Sequence, residues 1–209
     1  VAIEFAALLP EEPNTQSKLA LVQVRPMVVS HEVVHLTEDD LQGDAVLTSS
    51  PRALGNGRRD DLKIVTYVKP DTFDTARTRD IADEIRTHNL RLRESGQFSV
   101  LIGFGRWGSS DPWLGIPVTW GEISQARVLV ECTLDELNVE LSQGSHFFHN
   151  ICSFRVSYFS VKKGLENVRF DLLRAGSVLY ESPNVITVAL EKSLHVSVDG
   201  TTGRGVITV

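Results

Sequence analysis

The sequence predicts an α+β fold, a mixed sheet with a few helices. Three observations predict it. Runs of β-branched and aromatic residues recur along the chain, as in "KIVTYVK" (63–69), "FSVLIGFG" (98–105) and "ARVLVECT" (126–133). One long stretch, "DTARTRDIADEIRTHNLRLRESG" (74–96), carries helical spacing instead. The two patterns do not alternate in a regular strand–helix–strand rhythm, which favours α+β over a doubly wound sheet.

The elements follow in order. "VAIEFAAL" (1–8) reads as a strand, the proline-bearing "PEEPNTQSK" (10–18) as a loop, and "LALVQVRPMVV" (19–29) as a second strand. Residues 1–29 are therefore a terminal hairpin. "SHEVVHLTEDDLQGD" (30–44) is acidic and reads as a linker, leaving 45–209 as the main domain. Within it, "RALGNGRRDDL" (52–62) reads as a loop, and residues 63–69 as a strand stopped by Pro70. Helix 74–96 sets Ile81, Ile85, His88 and Leu92 on one face; Asp74 or Thr75 caps its start, and Gly96 stands at its end. Strands follow at 98–105 and 126–133. "HFFHNICSF" (146–154) has helical spacing, "VSYFSV" (156–161) is strand-like, and "NVRFDLLRAG" (167–176) holds a short helix. "VITVAL" (185–190), "LHVSVDG" (194–200) and "GVITV" (205–209) close the chain as strands, turned at Asp199-Gly200 and at Gly203.

Composition bounds the function. The chain has 209 residues, 42% apolar and 23% charged, which suits a soluble domain with an ordinary core. A net charge of −6 argues against a general nucleic-acid binder. There is no apolar run of about 18 residues and no signal-peptide pattern, so no membrane partner is expected. Cys132 and Cys152 form no C-x-x-C pair and have apolar neighbours, so they read as unpaired thiols of a cytoplasmic protein. The chain opens at Val1 directly in strand-like sequence, which reads as a piece of something longer.

Two stretches invite chemistry. In "LIGFGRWGSSDPWLG" (101–115), Gly103, Gly105 and Gly108 spell G-x-G-x-x-G. A dinucleotide loop needs a helix directly afterwards; here Ser109-Ser110-Asp111-Pro112 follows, then Pro117, so that reading fails. The alternative is a strand-terminal loop whose amides, with those of Gly103 and Gly105, join Arg106 in holding an anion. The plainer reading is a turn with Trp107, Trp113 and Trp120 packed as core. In "SQGSHFFHN" (142–150), His146 and His149 share a helical face after Gly144-Ser145. They are the candidate catalytic or phosphate-carrying histidines; the bland alternative is a helix start with half-buried histidines. Spacing places no third ligand for a zinc site there.

The hairpin carries a resemblance. "IEFA" (3–6) and "LALVQVRP" (19–26) resemble the two strands that end the ATP-grasp domain of the phosphoenolpyruvate synthase and pyruvate phosphate dikinase family. In that family the glutamate and glutamine help hold magnesium and the ATP phosphates, and the arginine faces the phosphates. The resemblance marks Glu4, Gln23 and Arg25, with Mg2+ on Glu4 and Gln23. "GRWGSSDPWLGIPVTWGEIS", "SQGSHFFHN" and "DGTTGRGVI" resemble the C-terminal region of a bacterial group of synthase-like proteins. The expectation is the C-terminal part of an ATP-dependent phosphotransferase, its larger domain binding an anionic substrate such as pyruvate or phosphoenolpyruvate, or a phosphoryl group. The rest of the ATP-grasp domain is the implied partner. The 209 residues alone are expected to lack activity and tightly bound ATP or Mg2+. The competing expectation is a non-catalytic regulatory or oligomerisation module, and the oligomeric state stays open.

Overall fold

The computed structural model describes residues 2–8, 16–25, 32–111, 113–133 and 155–209. Strands β1 (Ala2–Leu8) and β2 (Lys18–Arg25) pair antiparallel as a sheet of their own. The main domain is a nine-stranded mixed sheet, so the predicted class is correct. Its strands are β3 (Val46–Ser50), β4 (Ala53–Leu54), β5 (Gly57–Val68), β6 (Ser99–Phe104), β9 (Ala126–Cys132), β10 (Ser157–Val161), β11 (Ser177–Glu181), β12 (Val185–Asp199) and β13 (Arg204–Thr208). The order is β3-β13-β12-β5-β6-β9-β10-β4, with β11 on the free stretch of β12. Two short strands, β7 (Arg106–Trp107) and β8 (Gly115–Ile116), pair separately. The helices are α1 (Thr78–Glu94), α2 (Gly164–Asn167) and α3 (Phe170–Leu173).

The sheet closes on itself. β3 and β4 stand at opposite ends of the strand order, yet only Pro51 and Arg52 separate them in sequence. Residues 46–54 therefore border β13 on one side and β10 on the other. Ser50 Oγ donates to the Ser160 carbonyl at 2.5 Å, Ser160 N to Arg52 O at 3.2 Å and Ala53 N to Gly203 O at 2.6 Å, so the corner is bonded on both flanks. Such closure leaves no exposed edge on those strands.

β5, β6, β9 and β10 run parallel, and α1 makes the β5–β6 crossover. Their alternation gives two apolar faces. Val65, Ile102, Val130 and Phe159 occupy the inner face, where Phe159 lies against Gly205 of β13. At the carboxyl end of these strands, Phe170 of α3 packs on Tyr67 and Phe104, with ring centroids 5.5 and 6.2 Å away, and Phe73 packs on Phe104 at 5.1 Å. The outer face is covered by α1. Ile81, Ile85, His88 and Leu92 are buried, as their spacing requires. Asp74 Oδ1 accepts from Ala76 N and opens the lead-in turn. Gly96, at φ +66°, ends the helix: its amide bonds Arg93 O and that of Gln97 bonds Leu92 O, a Schellman closure.

Several boundaries differ from the sequence reading. The stretch 52–62 read as loop is largely strand: β4 and the first half of β5, whose Arg58, Arg59 and Asp60 pair with or face β12. Residues 185–190 and 194–200 are one strand with register shifts, because the main-chain ladder to β5 resumes past the exposed Glu191 and Lys192. β3 and β11 were unread. The stretch read as a linker is laid on the main sheet from Glu32 onward. Val34 is buried, Glu32 Oε2 accepts from Arg58 N at 2.9 Å, and Arg204 Nη1 donates to Leu36 O at 3.2 Å.

Candidate functional site

The hairpin register brings two of the sequence-marked residues face to face. Glu4 is the cross-strand partner of Gln23, and Arg25 pairs with Ala2, two positions along on both strands. Positions 2, 4, 23 and 25 therefore share one side of the hairpin. The same side continues as Ala6–Ala20 and Leu8–Lys18. The opposite side carries Ile3–Val24, Phe5–Leu21 and Ala7–Leu19, with no polar side chain at all. A bulge after Glu4 leaves Val22 as the unmatched residue on β2. The hairpin is thus amphipathic, with one wholly apolar face and one carrying a carboxylate, an amide and small alanines. Glu4 and Gln23 offer hard oxygen donors from adjacent strands, a chemistry that suits Mg2+.

The glycine loop is built for close packing. A Cβ on Gly115 would overlap the Arg106 backbone, one on Gly103 would sit 2.5 Å from the Trp107 ring, and one on Gly105 2.9 Å from Gly115. Gly105 and Gly108 take φ of +75° and +70°, which an L side chain resists. The glycines let the chain leave β6, double back and seat Trp107 in the core, where it is 1% exposed. Its indole Nε1 donates to Val130 O at 3.1 Å. The loop amides go to internal acceptors: Gly105 to Cys132 O, Arg106 to Leu114 O, Trp107 to Glu131 Oε2 and Gly108 to Ile116 O. Arg106 is half-buried at the carboxyl end of β6. Of the other tryptophans, Trp120 packs against the core, while Trp113 is 63% exposed.

His146, His149, Gly144 and Ser145 lie outside the described residues, as does Cys152. Among the described histidines, His35 and His195 are exposed, and His195 bonds Asp60 at 2.8 Å. No group of three His, Cys, Asp or Glu side chains among the described residues is arranged for a metal.

Sequence reasoning missed a buried polar seam between α1 and β12. His88, 2% exposed, meets Thr187 Oγ1 at 2.9 Å through Nδ1, and Thr187 meets Thr66 Oγ1 at 2.9 Å. Burial, reinforced by the Arg91 and Lys69 charges, lowers the His88 imidazole to about 4, against an opposing pull from Glu84. Glu84 clamps the β11–β12 turn, accepting from Ser182 Oγ at 2.6 Å, Asn184 N at 2.8 Å and Asn184 Nδ2 at 2.6 Å. Burial raises this carboxyl, but those hydrogen bonds outweigh it and the net shift is downward. Near the glycine loop, Glu131 is fully buried. Burial and the Glu131 charge push up both the Tyr158 hydroxyl and the Cys132 thiol, so neither is an activated nucleophile. A cavity of about 10 Å³ between α1 and the sheet, lined by Thr66, Asn89 and Ser99, holds one water at most.

The scan against protein-family models finds no match, and neither the curated proteins nor the solved structures searched return one.

Proposed function

We propose that the chain is the C-terminal part of an ATP-dependent phosphotransferase resembling the phosphoenolpyruvate synthase family. In this reading β1 and β2 form the rim of its nucleotide site. The observation that supports the reading is the cross-strand pairing of Glu4 with Gln23, with Arg25 at the next position on the same side. Glu4 and Gln23 would hold Mg2+ through carboxylate and amide oxygens, and Arg25 would meet phosphate. Bound Mg-ATP supplies the phosphoryl group. Ala6 and Ala20 leave the middle of that face low, so a planar ligand can approach the strands. The remainder of the nucleotide domain lies outside these residues. In the longer protein, Glu4→Gln should cut ATP turnover by about 100-fold with the melting temperature of the main domain unchanged. Unchanged turnover removes Glu4 from the site. Calorimetry of the 209 residues alone with Mg-ATP should show no binding tighter than about millimolar, roughly −4 kcal/mol.

For the main domain, a second reading is favoured by one observation: the amides of the glycine loop are committed to internal acceptors and Trp107 is core. We read this domain as a non-catalytic companion whose glycine loop is architectural. Any anion would then be bound there by side chains such as Arg106. A sulfate or phosphate soak showing density against the 105–108 amides would refute that assignment.

A further inference from the structure

We propose that Arg127, seated on Phe98 at the amino ends of β6 and β9, binds an oxyanion: a phosphate or carboxylate group that presents two oxygens on one edge. The inference goes beyond the readings above, since it uses neither the hairpin nor the glycine loop. Phe98 precedes β6, whereas Arg106 follows it at the carboxyl end. The local chain explains why Arg127 stands as it does. β9 pairs Ala126 with Ser99 and Val128 with Val100, so Arg127 is one residue more than the parallel ladder needs. A bulge of this kind breaks the alternation and re-aims a side chain. Here the guanidinium is laid on the Phe98 ring, with Cζ 3.6 Å from the ring centroid. Its Nη1 donates to Ser124 O at 3.0 Å and to Ala126 O at 3.3 Å. A ring on one face and two carbonyls at one nitrogen hold the guanidinium plane in place. Arg127 is half-buried and Phe98 is 38% exposed, so the stacked pair reaches the surface.

What remains is a free donor edge. Among the described residues no bond engages Nε or Nη2 of Arg127, no carboxylate pairs with it, and neither atom is sealed from solvent. Nε–H and the adjacent Nη2–H are parallel donors, the fork that meets two oxygens of a phosphate or a carboxylate. The local charge favours the same ligand. Burial and then the Arg59 charge lower the Arg127 guanidinium, and the opposing pull of Asp61 is the smaller. Asp61 is already engaged by Arg59, with both its oxygens 3.2 Å from Nη1. Two guanidinium charges thus share one carboxylate, and a bound anion supplies the balance. Support of the Ser124 and Ala126 carbonyls uses Nη1 alone, a duty that a lysine could perform; the stacked plane and the open fork are what an arginine adds.

Phenylglyoxal labelling of the 209-residue chain, read residue by residue by peptide mass spectrometry, tests this without a variant. Inorganic phosphate or acetate is added at an ionic strength held constant with sodium chloride. At saturating anion, labelling of Arg127 should slow about 10-fold with at least one of the two, and the probe that protects at the lower concentration names the source. Arg93, exposed on α1, should label at the same rate throughout. Arg127 labelling that is absent from the start, or equal with and without both anions, overturns the proposal. The better probe is then titrated by amide resonance shifts in wild type and in Arg127→Lys, which keeps the charge but not the fork. The dissociation constant should rise about 10-fold while the urea midpoint stays in place. Equal affinity in Arg127→Lys overturns the proposal, as does binding lost in Arg106→Gln and kept in Arg127→Lys, which would place the anion at the glycine loop. Should Arg127→Lys fail to fold, the labelling result decides. None of these outcomes bears on ATP turnover, which tests the nucleotide reading separately.

Discussion

Lowering the pH should unlock the seam between α1 and β12, and one residue should account for the effect. His88 is buried against Thr187, and its imidazole is held at about 4 by burial and by the nearby Arg91 and Lys69, against an ordinary value of 6.5. The folded chain therefore resists a proton that the unfolded chain accepts. Between pH 6.5 and 4 the unfolded state binds more protons, so stability falls as pH falls across that window and is fully present above it. The 2.5-unit difference, at 1.36 kcal/mol per unit, amounts to about 3 kcal/mol once both values are passed. The loss should be read by urea denaturation from pH 7.5 to 4.5, in wild type and in His88→Asn. Asparagine keeps a polar atom near Thr187 but does not titrate. The wild-type curve should decline more steeply than that of the variant, and the two should converge toward pH 4.5. Asp199, whose carboxyl is also held down, contributes in both proteins and cancels in the difference, whereas Glu84, which acts on His88, is controlled by repeating the comparison in a Glu84→Gln background. A gap between the curves that stays constant from pH 7.5 to 4.5 would refute the reasoning, because His88 would then take up protons equally in both states.

Further outcomes follow from packing and backbone. Gly115→Ala forces a methyl into the Arg106 backbone and should cost about 3 kcal/mol in chemical denaturation, whereas Gly121→Ala, with open space at its Cβ, should be close to neutral. Lys163 holds φ +50° between β10 and α2; Lys163→Gly should raise stability by about 0.5–1 kcal/mol, since its 3.5 Å exposed pair with Glu166 is worth little. A drop in melting temperature for that variant would mean the lysine side chain itself is needed.

Much of the fold could be read from the sequence, and the gaps have physical causes. Helix α1 was legible because Ile81, Ile85, His88 and Leu92 repeat at helical spacing and Gly96 marks the end. The central strands were legible because burial on both faces makes them continuous apolar runs, as in Val100-Leu101-Ile102. The start of β5 was not, because Arg58, Arg59, Asp60 and Asp61 are charged and earn their strand only from main-chain pairing with β12. β3 was missed for a similar reason: Thr48 and Ser50 are buried, but their hydroxyls bond Asn167 O and Ser160 O across the chain, partners no local pattern reveals. The hairpin could be anticipated from its two strand-like runs, and its register pairs Glu4 with Gln23. The meaning of the glycines could not, because it depends on contacts between Gly103 and Trp107 and between Gly115 and Arg106 that exist only after the loop doubles back.

The closure at residues 46–54 also sets the order in which the molecule can be made. That segment is synthesised before either of its neighbours, β10, about a hundred residues later, and β13, later still. Its amides and carbonyls must wait for most of the sequence, and the ring cannot be completed until Arg204–Thr208 has emerged. Contacts this distant in sequence make for slow folding. During that interval the first strand of the ring is an open template, so its guardians are kinetic: Pro51, which offers no amide, and the polar Thr48, Ser49 and Ser50. A chain truncated before residue 204 would keep β3 waiting indefinitely, and aggregation through that edge is what its absence of a partner would produce.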